Sequence, residues 1–73
     1  MYEAKADIVA NVWKILAHVG DAVAKGDTIA VLETMKMEIP VFAEADGTIA
    51  SIVAKEGTIV QEGDVIAIVG DAV

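Results

Sequence analysis

The sequence predicts an all-β domain, folded as a flattened barrel or sandwich of two similar halves. Three observations predict it. Eleven valines and nine isoleucines stand against only two leucines, so β-branched residues dominate a chain that is 56% hydrophobic. Glycine beside an acidic residue recurs at turn-like intervals. The chain also resembles itself when displaced by 37 positions.

Taken from the N-terminus, the stretch Ala4 to Ala17 mixes Val, Ile and Trp without an apolar stripe at intervals of three and four, so a helix there is weakly supported. Gly20-Asp21 and Gly26-Asp27 then mark turns around a short apolar segment. The run Thr28-Ile29-Ala30-Val31-Leu32 is continuously apolar, as suits a strand packed between two layers. A second strand-like run, Glu38 to Phe42, follows. Asp46-Gly47, Glu56-Gly57 and Gly63-Asp64 supply three further turns, and Val65-Ile66-Ala67-Ile68-Val69 repeats the continuous run. Gly70-Asp71 closes the series.

At the offset of 37, Ile15 falls on Ile52, Ala17 on Ala54, Gly20 on Gly57, Val23 on Val60, Gly26 on Gly63, Asp27 on Asp64, Ile29 on Ile66 and Ala30 on Ala67. Val12 meets Ile49 and Leu32 meets Val69 as conservative pairs. Coincident glycines are harder to produce by chance than coincident valines. One half alone would expose unsatisfied sheet edges, whereas two halves related by a pseudo-twofold axis bury one continuous core. Residues 1–73 are read as one domain.

Composition removes several classes of function. A chain of 73 residues buries about 60% of its unfolded surface, too little to shelter both a core and a deep substrate pocket, so a non-catalytic protein is expected. Without cysteine there is no thiolate metal site, and His18 has no companion ligand. A cytoplasmic setting is expected, because no apolar run approaches a signal peptide or a membrane span. Net charge −7, with five lysines and no arginine, makes nucleic acid a poor partner. Ser51 has no adjacent histidine, and Trp13 is expected in core or hairpin packing.

The repeat runs out after Leu32, at Glu33-Thr34-Met35-Lys36-Met37-Glu38-Ile39-Pro40, a segment expected to have no counterpart. Lys36 plus 37 is position 73, so the symmetric equivalent of this hairpin is where the termini lie, and Lys36 and the termini are expected at opposite ends. Met35-Lys36 lacks the Asn-Gly chemistry of the commonest two-residue turns, and a type I turn is expected, with Lys36 projecting into water. Two methionines bracketing an exposed lysine gain nothing from solvent, which points to a patch recognised by a modifying enzyme.

Met35-Lys36-Met37, preceded by Glu33 and followed by Glu38-Ile39-Pro40, resembles the attachment motif of the biotin/lipoyl attachment family, in its biotinyl branch. Gly20, Gly26 and Gly47 stand sixteen and ten residues before Lys36 and eleven after it, where that family places glycines, and Gly63 repeats Gly26. The resemblance spans nearly the whole chain. It implies two four-stranded antiparallel sheets with quasi-twofold symmetry, in a free-standing single-domain attachment protein that is monomeric when free.

The resemblance further implies covalent biotin on Lys36, added by a biotin protein ligase through biotinyl-adenylate, with Met35 and Met37 read by the ligase. An exposed lysine amine is almost wholly protonated at pH 7, so the ligase must provide the base or desolvation that attack requires. The partners implied are a biotin carboxylase, which loads carbon dioxide from bicarbonate using ATP, and a carboxyltransferase, as in acyl-CoA carboxylase systems. The alternative is lipoate, added by a lipoate ligase, for 2-oxoacid dehydrogenase or glycine cleavage chemistry, or a lysine that accepts both biotin and lipoate. Methionine on both sides of the lysine favours biotin, while Thr34 is common in lipoyl relatives, so Glu33 and Thr34 bear on the choice. An unmodified structural adaptor would leave Met35-Lys36-Met37 unexplained.

Overall fold

The computed structural model describes residues 1–71. Among them there are eight strands and no helix: β1 (Tyr2–Lys5), β2 (Ala10–Ile15), β3 (Ala22–Val23), β4 (Thr28–Thr34), β5 (Met37–Phe42), β6 (Gly47–Ile52), β7 (Ile59–Val60) and β8 (Val65–Asp71). They form two four-stranded antiparallel sheets, ordered β1-β8-β6-β3 and β5-β4-β2-β7. The Cα body measures 38 × 18 × 18 Å.

The offset of 37 relates these sheets strand for strand: β2 to β6, β3 to β7 and β4 to β8. It also corrects one expectation. The strand after the hairpin does have a counterpart, and it is β1, reached by counting backwards. Ile39↔Leu32 becomes Tyr2↔Val69, Pro40↔Val31 becomes Glu3↔Ile68, and Val41↔Ala30 becomes Ala4↔Ala67. Of the segment Glu33 to Pro40, Met35 and Lys36 fall on positions 72 and 73, outside the described residues, and Met37 falls on no position of the sequence.

The correspondence reaches individual hydrogen bonds. The amides of Leu16 and Ala17 both donate to Ile29 O at 2.9 and 3.1 Å, and those of Val53 and Ala54 to Ile66 O at the same distances. Asp27 Oδ2 accepts from the Ala24 amide, and Asp64 Oδ2 from the Gln61 amide, each at 2.9 Å. The core obeys the same rule. Its largest fully buried side chains are Ile29 with Ile66, Leu32 with Val69 and Val12 with Ile49, three pairs related by 37. Each contributes about 1.5–3 kcal/mol through burial.

Glycine is required for two different reasons. Gly20, Gly26, Gly57 and Gly63 have φ between 84° and 94°, a conformation that other residues adopt at a cost. Gly47 is required by space: a Cβ there would lie 2.3 Å from Gly70 O and 2.6 Å from Val69 Cγ1. The four glycines expected to shape turns therefore comprise three turn positions and one close approach of β6 to β8.

Register shifts explain the continuous apolar runs. β4 is bulged between Thr28 and Ala30, so Ile29 and Ala30 are both buried although adjacent. A second shift falls between Val12 and Lys14 in β2. Trp13 keeps the alternation of Ala10, Asn11 and Val12 and faces outward, 45% exposed, and the shift places Lys14 on the same side, its Nζ 5.7 Å from the ring centroid. Trp13 is thus a surface residue, contrary to the core or hairpin packing expected.

Candidate functional site

The hairpin β4-β5 is the longest paired unit of its sheet and carries Lys36 at its end. The last pair of its ladder is Thr34↔Met37, which leaves Met35 and Lys36 as a two-residue turn. Both have positive φ, 42° at Met35 and 75° at Lys36, and they are the only non-glycine residues with positive φ among those described. This is the I′ class of turn rather than the type I expected. The reason is the twist of the flanking strands, which a two-residue type I turn would splay apart. Neither residue has the side chain that eases this conformation, so the turn holds about 1–2 kcal/mol of strain per residue.

The hairpin is long enough to impose that geometry. Below the turn, Glu33↔Glu38, Leu32↔Ile39, Val31↔Pro40 and Ala30↔Val41 lock the ladder, and Leu32 and Val41 are anchored in the core. Met35 is 92% exposed and Met37 62%, so neither packs in the core at the hairpin base. Lys36 is exposed, and among the described residues no carboxylate lies within ion-pair distance of it. The result is one primary amine on a rigid post, framed by two solvated thioethers.

The other residues singled out by sequence separate from this site. Glu33 and Glu38 face each other across the ladder, both exposed, directly below the turn. Two carboxylates opposite one another disfavour the hairpin slightly, so fold stability does not account for them. Thr34 is half-buried beside them. His18 and Ser51 are elsewhere: His18 Nδ1 lies 3.4 Å from Asp21 Oδ2 in the loop after β2, and Ser51 lies in β6. Among the described residues, no three His, Cys, Asp or Glu side chains converge as metal ligands. A cleft of about 230 Å³ between β1 and β5, lined by Lys5, Leu32, Ile39 and Phe42, does not reach the turn.

Met1 and Asp71 occupy the far end, where the repeat places the termini; residues 72 and 73 lie outside the described residues. The Tyr2 hydroxyl donates to Ala45 O at 3.0 Å and accepts from the Glu44 amide at 3.0 Å, beyond the Phe42 end of β5 and away from Lys36. There the Met1 amine donates to Asp71, and this ammonium holds the Asp71 carboxyl below its usual range. The distant end is clasped and the hairpin end is open.

Comparison with known proteins agrees with this geometry. A family model described as "Biotin-requiring enzyme" matches residues 4–69. The biotin/lipoyl attachment protein of Bacillus subtilis (strain 168) is 46% identical over 56 residues, 77% of each chain. The biotinylated protein TB7.3 homolog of Mycobacterium leprae is 40% identical over 67 residues, 92% of this chain and 94% of that protein. Among solved structures, the urea carboxylase of Kluyveromyces lactis superposes with a TM-score of 0.88 at 34% identity, over 93% of this chain but only 6% of that one. The lipoyl domain of the 2-oxoglutarate dehydrogenase complex from Azotobacter vinelandii superposes with a TM-score of 0.74 at 34% identity, over 88% of this chain and 81% of that one. With the family model covering residues 4–69 and the two curated relatives matched over 77% and 94% of their own lengths, the chain belongs to the biotin/lipoyl attachment family.

Proposed function

We propose that this chain is a biotin carrier, modified on Lys36 and serving a biotin-dependent carboxylase. The observation that carries the reading is the turn itself: a strained two-residue hairpin presents one unpaired lysine, framed by Met35 and Met37, at the open end of the body. Family members of this kind are carriers rather than catalysts. Biotin joined to Lys36 would supply a ring able to hold a carboxyl group. The protein contributes position and reach, raising the local concentration of that ring at two partner sites in turn.

Attachment requires the Lys36 amine to lose a proton and form an amide with the acyl carbon of biotinyl-adenylate, releasing AMP. The hairpin supports this by holding Nζ clear of its own carboxylates. Met35 and Met37 offer a ligase two flexible apolar contacts that cost little to desolvate. Glu33 and Thr34 are the positions at which biotin and lipoate ligases would read different neighbours. The biotinylated relative and the urea carboxylase structure support biotin.

Lipoate is the second reading, favoured by Thr34 and by the likeness to a lipoyl domain. Intact mass after coexpression with a biotin protein ligase decides between them. A biotin-sized increment that persists in Lys14→Ala and vanishes in Lys36→Ala is expected. An unmodified wild type, or an increment only with a lipoate ligase, would overturn the biotin reading.

A further inference from the structure

The internal twofold supplies its own comparison, because each outward position on one sheet has an equivalent on the other with the same backbone. On the outer face of β1-β8-β6-β3, the edge strand presents Glu3 and Lys5, paired at 3.6 Å, and the bulge presents Ala50. The equivalent positions on β5-β4-β2-β7 are Pro40, Phe42 and Trp13. Ala22 in β3 likewise corresponds to Ile59 in β7. Phe42 is 52% exposed and Ile59 70% exposed, which neither residue needs for folding.

These positions share the outer face of one sheet. Pro40 pairs with Val31, Val31 with Lys14 beside Trp13, Asn11 with Ile59, and Phe42 lies two residues along the same strand. The band runs up the face to Glu33 and Glu38 and ends at the turn carrying Lys36. One face of a near-symmetric body therefore carries exposed aromatic and aliphatic side chains, with Asn11 and Lys14 among them, and adjoins the attachment hairpin, while its equivalent carries an ion pair. An exposed apolar band of this kind marks an interaction surface. β5 is an edge strand interrupted by Pro40, which opposes strand addition and leaves the face as the means of docking.

We propose that this face, centred on Trp13, Pro40 and Phe42, docks the ligase that modifies Lys36, against an apolar ligase surface bordered by basic residues that meet Glu33 and Glu38. The inference rests on the biotin reading above. Reach selects this occupant. An enzyme acting on the amine itself must bring its active site within one lysine side chain of the turn, so it has to contact the body. A two-residue turn cannot supply the roughly 800 Å² per partner of a specific interface. Aromatic anchors with a charged rim are how such surfaces concentrate their affinity.

The symmetry also provides the test. The variant Trp13→Ala/Pro40→Glu/Phe42→Lys installs the residues that the other half already accommodates, with Glu3→Ala, on the other sheet and outside the cleft that Lys5 shares with Phe42, as the control. Initial rates of biotin incorporation are measured with a biotin protein ligase, ATP and biotin against carrier concentration. Thermal unfolding and the single variants Trp13→Ala and Phe42→Lys check the fold. The expected result is a KM raised about tenfold or more in the triple variant, with kcat retained and the control unchanged. A wild-type KM in the triple variant, an equal loss in the control, or normal modification with impaired turnover by a biotin carboxylase would overturn the proposal. No incorporation into wild type would overturn the biotin reading itself.

Discussion

Replacing Met35-Lys36 by Asn-Gly should stabilise the protein while abolishing its modification. Both native residues sit in the left-handed region, at φ 42° and 75°. That conformation costs an ordinary residue about 1–2 kcal/mol. Asparagine tolerates it better and glycine adopts it freely, although glycine gives back about 0.5–1 kcal/mol through its greater freedom in the unfolded chain. No packing is lost, since Met35 is 92% exposed and Lys36 is exposed too. The net gain is about 1–3 kcal/mol. For a domain of this size, each kcal/mol raises the Tm by about 4–8 °C. Urea titration of wild type, Met35→Asn and the double variant, with m-values compared, provides the measurement. An unchanged or lowered midpoint in the double variant would refute the claim that this turn is held under strain. Met35→Val should move the other way, because a β-branched residue resists positive φ most strongly.

Four further outcomes are expected. Gly47→Ala should destabilise by about 1–3 kcal/mol or more in chemical denaturation, because the added methyl meets a backbone carbonyl that cannot move aside. Asp27→Ala and Asp64→Ala should each cost about 1–2 kcal/mol, and by nearly the same amount, since they make equivalent bonds at 2.9 Å; unequal losses would refute the energetic equivalence of the halves. Leu32→Ala should cost about 2–5 kcal/mol by urea titration, as a fully buried side chain beneath the hairpin. Because the Asp71 carboxyl is lowered from 3.8 in the folded state, its contribution is present above that pH and fades as pH falls through the lowered value; Asp71→Asn should flatten this acid limb in a stability profile.

Much of this was legible in the order of residues. Paired glycines and matched apolar positions carried the twofold, and its failure after Leu32 located Lys36. What escaped was whatever side-chain identity does not encode. The equivalence of β1 and β5 rests on backbone pairing, for Tyr2, Glu3, Ala4 and Lys5 share no residue with Ile39, Pro40, Val41 and Phe42. Met35-Lys36 carries no signature of positive φ, because the strands beneath impose it. Trp13 lies outside because it keeps the alternation that buries Ala10 and Val12 and exposes Asn11; the size that makes a tryptophan look like a core residue says nothing about which face of the sheet it takes.

The pairing of β1 with β8 has one more consequence. These two strands hold the same register as β5 with β4, residue for residue, yet no turn joins Tyr2 to Val69. The architecture thus assembles one such ladder without a covalent link at its end. The register of the ladder beneath the hairpin therefore does not depend on which residues form its turn, and positions 35 and 36 are free to answer to an outside enzyme.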